Sequence, residues 1–230
     1  MKKGVLFALF LNGLLVAAFS QTDADFEYSE NGGKITITGY RGSVKEVKIP
    51  ERINGLPVTS IGEKTFSGNQ LTSVTIPDSV TSIGERAFAG SFSFSTYEIT
   101  YMNLTNVTIG NGVTSIGREA FAYCNKLTSV TIPDSVTTIG GFAFSSCNKL
   151  TSVTIPNSIT SIGERAFYNC PSLASVTFKG TITSGNFHAD AFRNLGDLRD
   201  KFYTTNAASG TPGTYTTTAP IGESSVWTKQ

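Results

Sequence analysis

The chain has 230 residues, of which 39% are hydrophobic and 15% charged. This is enough apolar material for one core or one elongated stack of repeats, but not for several domains. The formal net charge is +1 and no basic patch stands out, which argues against nucleic acid or an anionic membrane surface as a partner.

The first 20 residues, "MKKGVLFALFLNGLLVAAFS", are typical of a secretory signal peptide. Two lysines precede an apolar run, and residues 18–20 supply the small-residue pattern of a cleavage site. The alternative is an unremoved membrane helix, but Asn12 and Gly13 interrupt a run that is already short for a span. We expect cleavage before Gln21, which leaves 16 Lys+Arg against 17 Asp+Glu and a net charge of −1. No later apolar run is long enough to anchor the mature chain in a membrane.

An internal repeat dominates the rest of the chain. Leucine recurs every 23 residues, with ten extra residues after the first of the set: Leu71, Leu104, Leu127, Leu150 and Leu173. Such a fixed period is the signature of a repeat architecture. We predict an N-terminal cap over residues 21–43, about six repeat units over 44–195 with an insertion at 89–103, and a C-terminal cap with a Thr/Ser/Gly-rich tail over 196–230.

Each unit contains a predicted strand. In "SVTIP", polar and apolar residues alternate, so Val130 and Ile132 face a core while Ser129 and Thr131 face water. One strand cannot pair within its own unit, so it pairs with the same strand of the next unit in a parallel ladder. A proline ends most of these strands, because it lacks the N–H that would continue the ladder.

Three further residue types recur within the unit. A glycine follows the second buried isoleucine, at Gly84 for example, and indicates either a positive φ or a close backbone approach. A phenylalanine marks every unit, and we expect the central Phe144 to be better buried than Phe66 near one end. The three cysteines occupy one position of consecutive units: Cys124, Cys147 and Cys170. They are interpreted as a buried row of small hydrophobic residues, with a functional thiol or metal site as the alternative.

The phrases "LTSVTIPDSVTSIGERAF", "VTSIGREAFAYCNKL" and "LTSVTIPNSITSIGERAFYNC" closely resemble the BspA-like bacterial leucine-rich repeats of 23 residues, over roughly residues 35–195. The asparagine ladder of ordinary leucine-rich repeats is missing after the strand, where Ser79, Ser135 and Ser158 stand instead. The resemblance implies a solenoid, a right-handed coil with one parallel β-sheet face and short helical or irregular returns. It also implies an exported surface protein of a bacterium that adheres to host matrix proteins, host cells or other bacteria.

An enzymatic function is not expected, and neither is a cofactor or a metal site. His188 is the only histidine, which excludes any site with two histidine ligands, and it lies in the irregular last unit where a capping role fits better. Neither a phosphate-binding glycine loop nor a recurring carboxylate pair is present.

The outward residues of the predicted strands are the first candidate binding surface. They form two polar rows, and the first unit has Glu46 and Lys48 at the corresponding two positions. The rows are Ser73, Asn106, Ser129, Ser152 and Ser175, and Thr75, Thr108, Thr131, Thr154 and Thr177. A protein or glycan would bind here. The alternatives are that small hydroxyls only keep a sheet surface soluble, or that a regular threonine array orders water as in ice-binding solenoids, although a curved sheet fits a lattice poorly.

The insertion is the second candidate surface. Its "AGSFSFSTYEITYMN" stands where the next unit has only "AYCNK", and its exposed aromatics would anchor a partner: Phe92, Phe94, Tyr97 and Tyr101. Loops on rigid scaffolds often carry recognition. The alternative is a short hairpin that covers the core. Composition does not decide whether the tail after Asp200 is loose, docks on the last coil or serves as an export signal.

Two functions remain open from the sequence. The first is adhesion through protein or glycan binding, possibly to host extracellular matrix, by a secreted or cell-surface protein that is periplasmic or associated with the outer membrane. The second is a structural envelope or spacer role without a specific ligand.

Overall fold

The structure is a computed structural model that describes residues 21–93, 95–203, 208–218 and 220–230. The chain forms a β-solenoid of about six turns with very little helix, so the predicted solenoid is confirmed. The predicted signal peptide, residues 1–20, lies outside the described residues. No helix in the described ranges is long and apolar enough to cross a membrane.

The elements are short. They are a 3₁₀ helix (Asp23–Asp25), one α-helix, α1 (Leu198–Tyr203), and the strands β1 (Phe26–Asn31), β2 (Lys34–Tyr40), β3 (Glu46–Lys48), β4 (Arg52–Ile53), β5 (Leu56–Ile61), β6 (Ser73–Thr75), β7 (Ser82–Ile83), β8 (Ser91–Phe92), β9 (Ile99–Thr100), β10 (Asn106–Thr108), β11 (Ser115–Ile116), β12 (Ser129–Thr131), β13 (Thr138–Ile139), β14 (Ser152–Ile155), β15 (Ser161–Ile162), β16 (Ser175–Phe178), β17 (Gly213–Thr216) and β18 (Thr228–Lys229).

The predicted strands form the first parallel ladder. Equivalent residues pair in register, with Ser73 opposite Asn106 and Ser129 opposite Ser152. The ladder is divided into β3-β6-β10 and β12-β14-β16, since β10 and β12 are not hydrogen-bonded to each other. The outward side chains of this ladder are called the strand face below.

The turn that follows β10 packs closely on the preceding coil. The unit of β10 has "GNG" where its neighbours have a proline, and a Cβ at Gly112 would lie only 1.8 Å from Asp78 O. The Asn111 N–H also donates to Asp78 Oδ1 at 2.6 Å. Glycine thus lets this turn approach the preceding coil more closely than a side chain would permit.

A second parallel ladder was not predicted. The short strands around the second isoleucine of each unit pair in the order β2-β5-β7-β11-β13-β15, with β1 antiparallel to β2 at the N-terminal edge. The sequence predicted a single sheet, because a two-residue strand is too short to show an alternating pattern.

The recurring glycines lie at close contacts between coils. A Cβ would lie 2.7 Å from backbone of the preceding coil at Gly84 and 2.5 Å at Gly163. The positive φ belongs instead to the residue two positions later in each unit, with φ between 51° and 57° at Lys64, Arg86, Glu119, Phe142 and Arg165. Of the two explanations that the sequence left open, close approach is the correct one.

Stacked phenylalanine rings form the centre of the core. Neighbouring centroids lie 4.9 to 5.3 Å apart with interplanar angles of 4° to 12° through Phe66, Phe88, Phe121, Phe144, Phe167 and Phe192. The expectation of a less buried Phe66 is wrong: both Phe66 and Phe144 are fully buried. The cause is Tyr40 of β2, whose ring lies 5.8 Å from that of Phe66 and continues the row.

The C-terminal segment packs on the last coil. β17 pairs antiparallel with β16, β18 pairs with β17, and the side chains of Tyr215 and Trp227 are buried. The Trp227 indole N–H donates to the carbonyl oxygen of Leu195. The described tail residues, 208–218 and 220–230, therefore dock on the last coil, which was one of the alternatives that the sequence left open.

Candidate functional site

The structure places all ten predicted strand-face residues on one side of the first ladder. They are exposed or half-buried, while the valine between each pair is buried. Nine of the ten make no side-chain hydrogen bond within the described part of the chain. The exception is Thr177, whose hydroxyl lies 2.9 Å from that of Thr214. These polar groups are therefore available to a ligand.

Threonines at other positions of the unit behave differently. At the residue before the second ladder, each hydroxyl donates to the backbone carbonyl of the equivalent threonine in the preceding coil. Thr114 donates to Thr81 at 3.0 Å and Thr137 to Thr114 at 3.1 Å. Ser135 and Ser158 similarly donate to Val113 and Val136, at 2.7 and 2.6 Å. These hydroxyls join the coils, the kind of contact that an asparagine ladder would otherwise provide.

The strand face continues onto the C-terminal cap, which sequence reasoning missed. Thr216 lies opposite Ser175 and Thr214 opposite Thr177, so β17 extends both polar rows by one strand. The signal was the alternation of Thr214, Tyr215 and Thr216, with the tyrosine buried.

The insertion forms a short antiparallel hairpin of β8 and β9. The Gly90 N–H donates to Ala122 O at 2.9 Å, and the Met102 N–H donates to Tyr123 O at 3.1 Å. Met102 is buried in the core, while Tyr97 is 81% exposed. The hairpin therefore covers the core, which was one of the two interpretations, and it also presents an aromatic side chain; that this side chain anchors a partner stays a prediction.

The structure does not join the insertion to the strand face. Its anchoring bonds go to Ala122 and Tyr123, and Tyr101 packs edge-on against Tyr123 at 6.4 Å. No hydrogen bond links it to a strand-face residue among the described residues. Phe94 and the side chain of Phe92 lie outside the described part of the chain.

The insertion instead borders the return face, formed by residues 63–70, 85–93, 118–126, 141–149 and 164–172. On this face the Nε atoms of Arg86 and Arg118 lie 2.6 and 3.2 Å from the two carboxylate oxygens of Glu119. The Arg118 guanidinium lies 4.9 Å from the ring centre of Phe142. The hydrogen bond to Glu119 raises the pKa of Arg86. Sequence reasoning did not identify these residues as a candidate site, although the order Arg118-Glu119 reverses the Glu-Arg found at 85–86 and 164–165.

The three cysteines are free and fully buried. Each thiol donates to the carbonyl oxygen of the phenylalanine one coil back, at 3.2 to 3.4 Å from Phe88, Phe121 and Phe144. Burial raises the pKa of all three thiols, to about 12 for Cys170. They are protonated, poor nucleophiles at neutral pH.

Groups suited to catalysis or metal binding do not assemble in the described ranges. No cluster of three His, Cys, Asp or Glu side chains there could hold a metal ion. His188 is exposed, and its Nδ1 accepts the N–H of Asp190 at 3.2 Å, a local turn contact.

Comparison with known proteins identifies the repeat. The BspA type leucine-rich repeat region matches residues 39–102 and 93–209 in six copies. A leucine-rich repeat protein of T. pallidum is similar at 35% identity over 68% of this chain and 70% of that chain, with a TM-score of 0.61. One from Bacteroides ovatus shares 31% identity over 66% of this chain and 39% of that chain, with a TM-score of 0.56. No curated protein sequence matches. Because six repeat copies span most of its length and coil as in these relatives, the chain belongs to the BspA-type leucine-rich repeat family.

Proposed function

We propose that this chain is an exported scaffold whose strand face binds a protein partner, in adhesion to host matrix proteins, host cells or other bacteria. The family and its fold are typical of noncatalytic scaffolds for protein interaction, and the family is typical of bacterial surface proteins. The signal-like residues 1–20 support export.

One observation carries the proposal. At several other positions of the unit, a serine or threonine hydroxyl bonds to the preceding coil, as at Thr114 and Ser135. On the strand face, nine of the ten predicted residues have no side-chain hydrogen bond within the described part of the chain. A partner can pair with these groups without breaking any bond of the folded chain, so no hydrogen bond has to be exchanged inside the receptor.

The dimensions of the strand face also support the proposal. Seven strands from β3 to β17, spaced by about 4.8 Å, give a face roughly 30 Å long. Because its strands have only three or four residues, this face is large enough for part of one side of a standard interface of about 800 Å² per partner. Because the strands are fixed by the core behind them, little conformational entropy would be lost on binding.

Binding to arrayed partners tests the proposal. Purified residues 21–230 are applied to an array of extracellular matrix proteins, bacterial surface proteins and glycans. We expect saturable binding to at least one defined protein. A glycan as the only saturable ligand would overturn the protein assignment. Absence of any saturable ligand, together with altered cell shape on deletion of the gene, would favour the structural spacer role instead.

A further inference from the structure

A groove of about 390 Å³ lies on the return face beside the insertion. Its lining combines charged, aromatic and hydroxyl side chains with one wall from the insertion: Lys64, Arg86, Glu119, Tyr123, Phe142 and Ser91. We propose that this groove binds a carboxylate side chain from an acidic segment of a protein partner. The inference rests on the proposed protein-binding function and gives it a second contact surface.

Arg86 is the centre of the proposed site. Its Nε donates to Glu119 Oε2 at 2.6 Å, which fixes the plane of the guanidinium. Its two terminal nitrogens have no hydrogen-bond partner in the described ranges. A guanidinium held by Nε with its outer N–H groups free presents the fork geometry that a carboxylate binds in bidentate fashion.

The local charges favour an anion. Glu119 is the only acidic residue lining the groove, and it is shared between Arg86 and Arg118. Lys64 adds a second cation to the lining. Its ammonium contacts Glu63 at 2.6 Å, but that carboxylate lies outside the lining and is largely exposed to water, where an ion pair contributes little. Glu85, also outside the lining, lies 4.0 Å from Arg86 Nε. A ligand carboxylate would therefore meet the outer N–H groups of Arg86 and the ammonium of Lys64 on the side of these groups that faces the groove.

The aromatic lining indicates which kind of residue stands next to the acidic residue in the partner's segment. Tyr123 and Phe142 offer ring surface beside Arg86, while Ser67 and Ser145 supply hydroxyls. An acidic residue next to an apolar or aromatic one fits this combination. Arginine and tyrosine are enriched among the residues that dominate protein interfaces. This enrichment favours a protein as the source of the carboxylate over an acidic polysaccharide.

The insertion builds the groove at this unit. Gly90 and Ser91 line it directly, and the hydrogen bonds from Gly90 and Met102 to the next coil hold the hairpin beside Tyr123. The other units have four or five residues in place of these fifteen, so they cannot supply the same wall. The extra residues thus acquire a role beyond covering the core.

A peptide titration with a matched arginine control tests the proposal. The probe is the blocked heptapeptide Gly-Ser-Phe-Glu-Phe-Ser-Gly, titrated into the purified chain by NMR beside its Gln analogue and digalacturonate. We expect the Glu peptide to bind at least fivefold more tightly than the Gln analogue. Arg86→Gln should weaken its binding at least fivefold, and Arg193→Gln, which removes an equal charge from a half-exposed arginine outside the groove lining and its ion pairs, less than twofold.

A second variant tests whether the insertion is needed as one wall of the groove. Replacing residues 89–103 by "AYCNK" restores the unit length and should also weaken binding of the Glu peptide at least fivefold. Circular dichroism confirms that each variant is folded. Equal losses for Arg86→Gln and Arg193→Gln, no difference between the Glu and Gln peptides, or tighter binding of digalacturonate would each overturn the proposal. Failure of the array experiment with a positive peptide titration would instead overturn the proposed function and leave the selectivity of the groove for a carboxylate in place.

Discussion

Serine and threonine occupy two kinds of position in each coil, and the difference lies in where the hydroxyl points. Thr137 donates to the carbonyl of Thr114 at 3.1 Å, while Thr131 on the strand face has no side-chain partner among the described residues. The first kind stabilises the stack of coils. The second kind is available for binding, although both positions carry threonine in this repeat.

Replacing these two threonines by valine separates their roles. Thr137→Val removes an inter-coil hydrogen bond while keeping the shape of the side chain, and should lower the free energy of unfolding by about 0.5 to 1.5 kcal/mol. Thr131→Val, the control, should change it by less than about 0.5 kcal/mol. Urea denaturation measures both. A loss at Thr131 as large as that at Thr137 would show that the strand-face hydroxyls are structural.

The cysteine row gives the protein a specific pH dependence. Unfolded thiols titrate near pH 8.5, whereas the buried thiols keep their protons, Cys170 to about pH 12. Above about pH 8.5 the unfolded chain therefore binds fewer protons than the folded chain, and stability falls as pH rises. Between pH 7.5 and 9.5 we expect a loss of about 1.4 kcal/mol per thiol.

Urea denaturation at the two pH values, below the main titration range of tyrosine and lysine, measures this loss. The control is a variant with alanine at Cys124, Cys147 and Cys170, whose stability should lack this part of the pH dependence. Rapid thiol labelling of the native protein, or the same pH slope in the control, would contradict the burial of the row.

At the scale of elements, the coils are joined by the stacked phenylalanines and by two ladders of very short strands. The ring row runs unbroken past the point where β10 and β12 separate, since Phe121 and Phe144 stack at 5.3 Å. The second ladder is also continuous there, through β11 and β13. The first ladder can therefore be interrupted without dividing the core.

Truncating the rings tests this account of the core. Phe144→Ala removes a fully buried ring between two others and should cost about 3 to 5 kcal/mol. Phe66→Ala should cost a similar amount, because Tyr40 and Phe88 flank it in the same way. Thermal or urea unfolding compares the two. A much smaller loss of stability at Phe66 would mean that Tyr40 of the β1–β2 hairpin does not bury the N-terminal end of the phenylalanine row.

Much of this arrangement followed from periodicity. The alternation around Val130, the leucine period and the phenylalanine row predicted the first ladder and the core, because each repeats with the coil. The return-face network was not predictable in this way. Arg86 and Glu119 occupy the same position of adjacent units, but this position carries a different type of side chain in most units, so no repeated pair of residues indicates the contact. Strands of two residues, such as β11, likewise leave no periodic signal.

At the scale of the whole molecule, the solenoid is covered at both ends. Phe26 and Tyr40 pack at the N-terminal end, their rings 5.3 Å apart. At the other end, Tyr215 and Trp227 are buried in the same core as the repeats. Repeat arrays need such caps because the terminal units otherwise expose their apolar faces.

The C-terminal cap can be tested at two adjacent residues. Trp227→Ala removes a buried indole and its hydrogen bond to Leu195 and should cost about 3 to 5 kcal/mol. Val226→Ala, at a side chain that is 66% exposed, should change stability by less than about 0.5 kcal/mol. Calorimetry measures the stability of both variants, and equal losses of stability would contradict a C-terminal cap that is docked on the last coil.

The central claim is that the strand face binds the partner, and the most direct measurement is the affinity of a strand-face variant for a partner found on the array. Thr108→Lys with Thr131→Lys places two charges on the face and should weaken binding at least tenfold, or about 1.4 kcal/mol. Thr181→Lys with Ser184→Lys adds the same charge at exposed residues outside the face and should leave affinity within twofold. If the strand-face variant folds and binds as tightly as the parent, the partner does not bind this face.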